Sequence, residues 1–216
     1  MPVDATLLAL LVFGYLCGSI PYAVIVSRAR GVDIRAVGSK NPGAHNVMRH
    51  VGRGWGWLVT ILDLLKGALP ALLAQLAGLS DWAIVAVGGA AILGHITSPF
   101  LGFKGGKGVA TGFGMLLVLA PVAMVAGSVI GLTILRVTRL VAVAAGIALI
   151  LTFGLMIAAG ASAAALAAPW IVLAISAAAA AVEEMQKASG NLPTMLKNVL
   201  LRGASRKAQG KPSERE

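Results

Sequence analysis

Long apolar runs alternate with short polar segments along most of this chain. The runs are long enough to predict membrane-spanning helices at residues 7–26, 55–77, 82–100, 109–120, 122–135, 140–158 and 163–182. The fourth and fifth runs are short for a full crossing, so we expect them to lie in thin or protein-shielded bilayer, or to form one re-entrant pair. The pattern predicts an all-α, polytopic integral membrane protein of about seven transmembrane helices.

Composition agrees with that fold class. The chain has 216 residues, of which 58% are hydrophobic and 12% charged, which is too apolar for a soluble domain. No Lys or Arg precedes the first run, which is long enough to span a bilayer, so we interpret it as a retained transmembrane helix and not a signal peptide. The single cysteine, Cys17, excludes an internal disulfide.

The positive charges predict the topology. The alternation of spans places all 18 Lys and Arg residues on one side of the membrane, whereas Asp4 and Asp81 fall on the other. By the positive-inside rule, the N-terminus is outside and the C-terminus is cytoplasmic. The net charge of +10 does not indicate nucleic acid binding, because the positive residues lie in short loops and form no basic face with interleaved aromatics.

The C-terminal segment changes character after the last run. Apolar residues recur at helical spacing within residues 192–200, opposite polar ones, and Gly203 follows as a stop. We therefore expect a single transmembrane domain over residues 1–203 that ends in a cytoplasmic amphipathic helix. The charged tail at residues 204–216 is predicted to be disordered.

A glycine- and lysine-rich loop, GFKGGKG at residues 102–108, separates the third and fourth runs. Glycines let backbone N–H groups turn toward a ligand, lysines supply charge, and a helix beginning near Gly108 would add the positive end of its dipole. This composition favours a phosphate ligand. The spacing from Gly102 to Gly106 is one residue short of a Walker A loop, so nucleotide hydrolysis is disfavoured. A tight basic loop between two helices is the alternative interpretation.

A second polar loop, GSKNPGAHNVMRHVGR at residues 38–53, is predicted on the same side of the membrane. It combines turn-forming Gly and Pro residues with hydrogen-bonding Ser and Asn side chains and with Lys and Arg. If the first helices pack closely, the two loops meet beside an apolar helix wall. Such a site suits a phosphorylated lipid precursor or an acyl compound.

Four segments carry a family resemblance: GSKNPGA at 38–44, DLLKG at 63–67, GH at 94–95 and FKGGKGVAT at 103–111. Together they resemble the bacterial acyl-phosphate:glycerol-3-phosphate acyltransferase family, PlsY. The resemblance implies transfer of a fatty acyl group from acyl phosphate to the 1-hydroxyl of glycerol 3-phosphate, giving lysophosphatidic acid and phosphate. It also implies a multi-pass protein of the bacterial inner membrane with its active site facing the cytoplasm.

The resemblance, together with the residue types in and beside the two loops, predicts a set of site residues. Those expected to act in catalysis are Ser39, Arg49, His95 and Lys104. Those expected to bind substrate are Asn41, Gly43, His45, Asn46, Gly105, Gly106, Lys107, Gly108 and Asn191. The expected partners are acyl phosphate, glycerol 3-phosphate, membrane lipid and the enzyme that supplies acyl phosphate, and neither a cofactor nor a metal is expected.

The attacking hydroxyl must lose a proton, and no carboxylate stands near either loop in the sequence. His95 is the protein candidate, and our preferred hypothesis is that a phosphate oxygen of the substrates accepts the proton. Asp63 and Lys66, three residues apart, are expected to neutralise each other at the membrane edge.

The chain departs from the family pattern at several positions. His45 replaces a small hydroxyl residue, Ala142 replaces a serine, and only Asn191 remains of a C-terminal His-Arg-x-Asn signature. Three alternatives therefore stay open: a divergent paralogue with a different acceptor, a small-anion transporter, and a non-catalytic scaffold for other lipid-synthesis enzymes.

Overall fold

The computed structural model describes residues 5–139 and 141–185, and this part of the chain is helical, with no strand. A short 3-10 turn, Pro99–Leu101, follows the fifth of its α-helices. The helices are α1 (Ala5–Ser19), α2 (Tyr22–Arg28), α3 (Ala44–His50), α4 (Arg53–Leu76), α5 (Asp81–Ile96), α6 (Val109–Leu119), α7 (Pro121–Thr138), α8 (Val141–Ala158) and α9 (Ala163–Met185).

The chain divides into two compact units, Met1–Ser176 and Ala177–Glu216. Of the second unit, the structure describes residues 177–185, which are helical. Asn191, the amphipathic helix expected at residues 192–203 and the tail expected at residues 204–216 lie outside the described residues. The expectation of one domain over residues 1–203 stays a prediction.

Each predicted apolar run contains helix, but the lengths differ from expectation in one case. Among the described residues, five stretches are long and apolar enough to cross a membrane: Ala5–Arg28, Arg53–Leu76, Asp81–Leu101, Pro121–Thr138 and Ala163–Met185. The fourth run is short, as predicted, since α6 has 11 residues. The expectation of a short fifth run was wrong, because α7 has 18 residues. The exact number of crossings stays a prediction.

The first run is not one continuous helix, which corrects the expectation for residues 7–26. It is interrupted between α1 and α2, where Pro21 has φ −91° and ψ 68°. Proline has no N–H to continue the helical ladder, and it disfavours helical geometry at the preceding residue, here Ile20. We call Ser19, Ile20, Pro21 and Tyr22 the helix break.

Small residues allow the helices to approach closely. A methyl group added at Gly18 on α1 would lie 2.0 Å from the carbonyl oxygen of Ala91 on α5. One added at Gly67 on α4 would lie 1.9 Å from the carbonyl oxygen of Thr111 on α6. Backbone contact of this kind is typical of membrane helices, where van der Waals packing replaces the hydrophobic effect. These contacts hold α1 against α5 and α4 against α6.

Helix α4 places large apolar residues on its exposed side and two charged residues on its buried side, unlike a surface helix of a soluble protein. Its exposed side carries large apolar residues, namely Leu58, Ile61, Leu65, Leu69 and Leu72. Its buried side includes the charged residues Asp63 and Lys66. An apolar exterior suits contact with lipid, and ionisable residues inside a membrane bundle face other helices. The fold thus directs its polar chemistry inward.

Candidate active site

The first polar loop is built around the side chain of Asn46, which is buried on α3. Its Nδ2 donates to the carbonyl oxygens of Ile34, Val37 and Asn41 at 3.0, 3.1 and 3.2 Å. Its Oδ1 accepts a hydrogen bond from the N–H of Ser39 at 3.3 Å. The carboxamide of Asn46 is therefore hydrogen-bonded inside the protein, where it fixes the loop, and its expected role in substrate binding stays a prediction.

Tight packing at Gly38 gives this loop its course. Gly38 has φ 57°, and an added methyl group would lie 2.2 Å from Nε2 of His50 and 2.4 Å from Oδ1 of Asn46. Only glycine adopts this conformation without strain and leaves that space free. After the turn, Ser39, His45 and Arg49 are exposed. The loop therefore presents a hydroxyl, an imidazole and a guanidinium on its outer side.

The N–H groups of the two middle glycines of the second loop are hydrogen-bonded within the protein. The N–H of Gly105 donates to the carbonyl oxygen of Ile96 at 2.8 Å, and that of Gly106 to the carbonyl oxygen of His95 at 3.2 Å. The last carbonyls of a helix lack partners within it, so they compete for these donors. Gly105 and Gly106 fold the loop onto the end of α5.

The rest of the second loop follows the sequence prediction more closely. Gly108, with φ 77°, is the residue immediately before α6, so the helix begins where expected. Lys104 and Lys107 are exposed on the loop. Their ammonium groups and the positive end of the α6 dipole lie on the same short segment, an arrangement that favours an anion.

A buried polar cluster lies beneath the second loop. Nζ of Lys66 is 2.8 Å from Oδ1 of Asp63, which confirms the expected pairing of these two side chains. Nδ1 of His95 is 3.7 Å from the same carboxylate oxygen, beyond normal hydrogen-bond distance. A methyl group added at Gly106 would lie 2.2 Å from Nε2 of His95. The imidazole is therefore held between the carboxylate of Asp63 and the glycine loop.

The two loops meet at one small cleft of about 10 Å³, room for roughly one water molecule. Pro42 of the first loop and Gly106 of the second both line it, as expected for a shared site. The other lining residues come from the helix break and from the helices around it: Ser19, Ile20, Pro21, Tyr22, Asp63, Lys66, His95, Ser98 and Leu101.

Of the expected site residues that the structure describes, two line this cleft, namely His95 and Gly106. Most of the others lie on the two loops outside its wall: Ser39, Asn41, Gly43, His45, Asn46, Arg49, Lys104, Gly105, Lys107 and Gly108. Asn191 lies outside the described residues. The individual roles of these residues stay predictions.

Sequence reasoning missed the helix break as part of the site. The signal available was the string Gly18-Ser19-Ile20-Pro21, in which a hydroxyl and a proline interrupt an apolar run. A proline inside a membrane span often marks a point where other helices satisfy the freed backbone groups. The sequence alone could not identify the side chains that bind the backbone carbonyls of the break, because those side chains lie 46 and 79 residues further along the chain.

Comparison with known proteins identifies the family. The sequence model of the family described as glycerol-3-phosphate acyltransferase matches residues 8–192. The glycerol-3-phosphate acyltransferase of Roseiflexus sp. (strain RS-1) is 50% identical over 144 residues, covering 67% of this chain and 70% of that protein. Glycerol-3-phosphate acyltransferase 1 of Deinococcus radiodurans is 50% identical over 137 residues, covering 63% and 69%.

Solved structures agree with this result. The crystal structure of PlsY (YgiH), an integral membrane glycerol 3-phosphate acyltransferase, in its glycerol 3-phosphate form has a TM-score of 0.69 and 36% identity. The match covers 88% of this chain and 93% of the PlsY chain. The lysophosphatidic acid form has a TM-score of 0.68 and 35% identity, with the same coverage. The present chain is therefore an integral membrane protein that belongs to the glycerol-3-phosphate acyltransferase family, the family of PlsY.

Proposed function

We propose that this protein transfers a fatty acyl group from acyl phosphate to the 1-hydroxyl of glycerol 3-phosphate, giving lysophosphatidic acid and inorganic phosphate. The observation that carries the proposal is the meeting of two basic, glycine-containing loops at one cleft, through Pro42 and Gly106. Family membership supports acyl transfer to glycerol 3-phosphate. The glycerol 3-phosphate and lysophosphatidic acid forms of PlsY support the acceptor and the product.

The chemistry makes modest demands on the protein. An acyl phosphate is a mixed anhydride with a good leaving group. The acceptor hydroxyl oxygen forms an ester bond with the carbonyl carbon, the bond from that carbon to the phosphate oxygen breaks, and a phosphate oxygen takes the hydroxyl proton. The protein must hold two mutually repelling anions together and stabilise the charge that develops on the carbonyl and the departing phosphate. No protein nucleophile is needed.

Exposed groups on the two loops supply the charge in this proposal. Arg49 and Lys104 bind the phosphates, Lys107 and His45 add positive or hydrogen-bonding groups, and the hydroxyl of Ser39 contacts the reacting centre. Arginine and lysine make charge-assisted hydrogen bonds to phosphate that are stronger than neutral ones. The exposure of these side chains suits them for capturing a water-soluble acceptor.

A second group of expected site residues acts by shaping the loops. Asn46 fixes the first loop through its carboxamide. Gly43 precedes α3, and its N–H donates to the carbonyl oxygen of Asn41 at 2.9 Å. In the second loop, Gly105 and Gly106 allow contact with α5. We assign these residues to positioning of the substrate-binding groups.

The proposed location is the bacterial inner membrane, with the cleft facing the cytoplasm, the N-terminus outside and the C-terminus inside. The support is the placement of Lys and Arg in loops on one side of the predicted spans. Acyl phosphate must then be supplied on that side, by an enzyme that phosphorylates a fatty acid or cleaves an acyl thioester with inorganic phosphate.

The experiment is to mix the purified protein in detergent with palmitoyl phosphate and glycerol 3-phosphate, and to identify the product by mass spectrometry. The expected product is 1-palmitoyl lysophosphatidic acid, with one phosphate released per ester formed. A panel of other hydroxyl acceptors is tested in parallel, and product from one of these alone would indicate a divergent paralogue. Anion flux in liposomes without any acyl transfer would replace the proposal with a transporter.

A further inference from the structure

The helix break is held by side chains from two other helical segments. Nζ of Lys66 on α4 donates to the carbonyl oxygen of Ile20 at 2.9 Å. Oγ of Ser98, just after α5, donates to the carbonyl oxygen of Ser19 at 2.6 Å. Two consecutive carbonyls of the break are thus each bound by a distant side chain.

The bond from Lys66 exceeds what backbone satisfaction alone requires. The carbonyl oxygen of Ile20 already accepts a hydrogen bond from the N–H of Tyr22 at 3.1 Å, so it has a partner without Lys66. A buried ammonium group is costly in an apolar environment, and here it needs the carboxylate of Asp63 beside it. If the pair only neutralised itself, two apolar residues would serve equally well. The position of Lys66 therefore indicates a role beyond neutralising the charge of Asp63.

That position lies in the cleft where the two loops meet. The four residues of the helix break form one wall of the cleft, and Lys66 and Ser98 line it as well. The same cleft includes Gly106 and His95, which fix the second loop on α5. The bonds to Ser19 and Ile20 therefore connect one wall of the cleft to α4 and to the end of α5, from which the glycine loop follows.

We propose that Lys66 and Ser98 are positioning residues for acyl transfer. Their hydrogen bonds to the carbonyls of Ile20 and Ser19 set the distance between the helix break and the two substrate-binding loops, and Asp63 holds the Lys66 ammonium group in place. This inference rests on the proposed function, since the distance matters for bringing acyl donor and acceptor together. Misplacement of reacting groups by about 1 Å can lower a rate about a hundredfold.

The test distinguishes a positioning role of Lys66 from simple charge neutralisation between Lys66 and Asp63. The double variant Asp63→Asn/Lys66→Met removes both charges together, so no unpaired charge stays buried. Ser98→Ala removes the second bond. The matched control is Ser128→Ala, because Oγ of Ser128 donates to a backbone carbonyl at 2.5 Å within α7, outside the cleft.

The turnover number kcat and the KM for each substrate are measured with palmitoyl phosphate and glycerol 3-phosphate. We expect the double variant and Ser98→Ala each to lower kcat at least about tenfold, with each KM within about threefold of the parent value, because the loop cations that bind phosphate are retained. Ser128→Ala should retain the parent kcat. A double variant with the parent kcat would show that the pair only neutralises itself, and a Ser98→Ala variant with the parent kcat would likewise overturn the assignment of Ser98.

A second measurement needs no catalysis. Cys17 is the single cysteine of the chain, and its carbonyl oxygen accepts a hydrogen bond from the N–H of Ile20 at 3.3 Å. Cys17 is half-buried, so loosening the helix break should speed reaction of this thiol with N-ethylmaleimide, by at least about threefold in the double variant and in Ser98→Ala, since local opening controls access to partly buried groups. The rate should be unchanged in Ser128→Ala. Unchanged rates in all variants would overturn the inference.

These two readouts keep the two proposals apart. A parent protein that forms no ester from palmitoyl phosphate defeats the proposed function, whereas the thiol reaction still decides whether Lys66 and Ser98 hold the helix break. Should the double variant fail to accumulate in membranes, Ser98→Ala decides the question, because it removes one neutral hydroxyl and leaves the ion pair intact.

Discussion

The backbone N–H of Gly106 donates a 3.2 Å hydrogen bond to the carbonyl oxygen of His95. The imidazole of the same histidine lies against Gly106, since an added methyl group would be only 2.2 Å from Nε2. One residue of α5 thus contacts the glycine loop through both its backbone and its side chain. These two contacts fix the position of the glycine loop, and with it the backbone that carries the two lysines.

Replacing Gly106 with alanine should therefore displace the loop. The buried imidazole has little room to move, so we expect Gly106→Ala to lower the rate of acyl transfer at least about tenfold. Gly89→Ala on the same helix as His95 is the control, because no atom lies within 4 Å of its added methyl group. The two variants are compared by product formation at saturating substrates. Equal activity would show that the loop tolerates displacement.

The loop cations Arg49 and Lys104 should be needed for activity. If these side chains bind phosphate as proposed, each of Arg49→Ala and Lys104→Ala removes a charge-assisted hydrogen bond, so we expect at least about a tenfold loss of kcat/KM in each. Arg136→Ala, which removes an exposed charge from the last turn of α7, should leave kcat/KM unchanged. Near-normal activity in both loop variants would place the phosphate site elsewhere.

His95→Gln tests which group accepts the proton of the attacking hydroxyl. If a substrate phosphate oxygen takes the proton, the loss of kcat at saturating substrates should stay below about a thousandfold, because only packing against Gly106 and Asp63 is disturbed. A greater loss, with the thermal midpoint in detergent preserved, would identify His95 as the general base. The thermal midpoint is measured on the same preparation.

Asn46→Ala should destabilise the first loop. It leaves the buried carbonyl group of Ile34 and the partly buried one of Val37 without the carboxamide, so the free energy of unfolding should fall by about 1–3 kcal/mol. His45→Ala, an exposed neighbour on α3, should change that free energy by less than about 0.5 kcal/mol. Both values come from denaturation in detergent micelles. Equal stability of the two variants would contradict the positioning role of Asn46.

Helices could be located from sequence because each apolar run is bounded by polar or turn-forming residues. The run predicted at residues 55–77 is the helix Arg53–Leu76, and that predicted at 140–158 is Val141–Ala158. The short helix α3 was missed, because its seven residues carry too few apolar positions to show a period. The meeting of the two loops was also predictable, because they share one side of the membrane in the predicted topology.

The partners of individual backbone groups could not be predicted. A glycine-rich loop in sequence offers free N–H donors, but those of Gly105 and Gly106 are taken by the last carbonyls of α5. The side chain that reaches Ile20 comes from Lys66, 46 residues away. Such contacts depend on how helices are arranged in space, and periodicity along one chain carries no information about that arrangement.

The length of α6 has a consequence for the surrounding lipid. Its 11 residues rise about 16 Å, whereas the hydrocarbon layer of a bilayer is about 30 Å thick. In a bilayer of that thickness, the glycine loop at its start and the junction with α7 at its end cannot lie at opposite membrane surfaces, so either the bilayer thins locally or one of the two lies below the headgroups. Because of this mismatch, a change in bilayer thickness acts directly on the segment that carries Lys104 and Lys107.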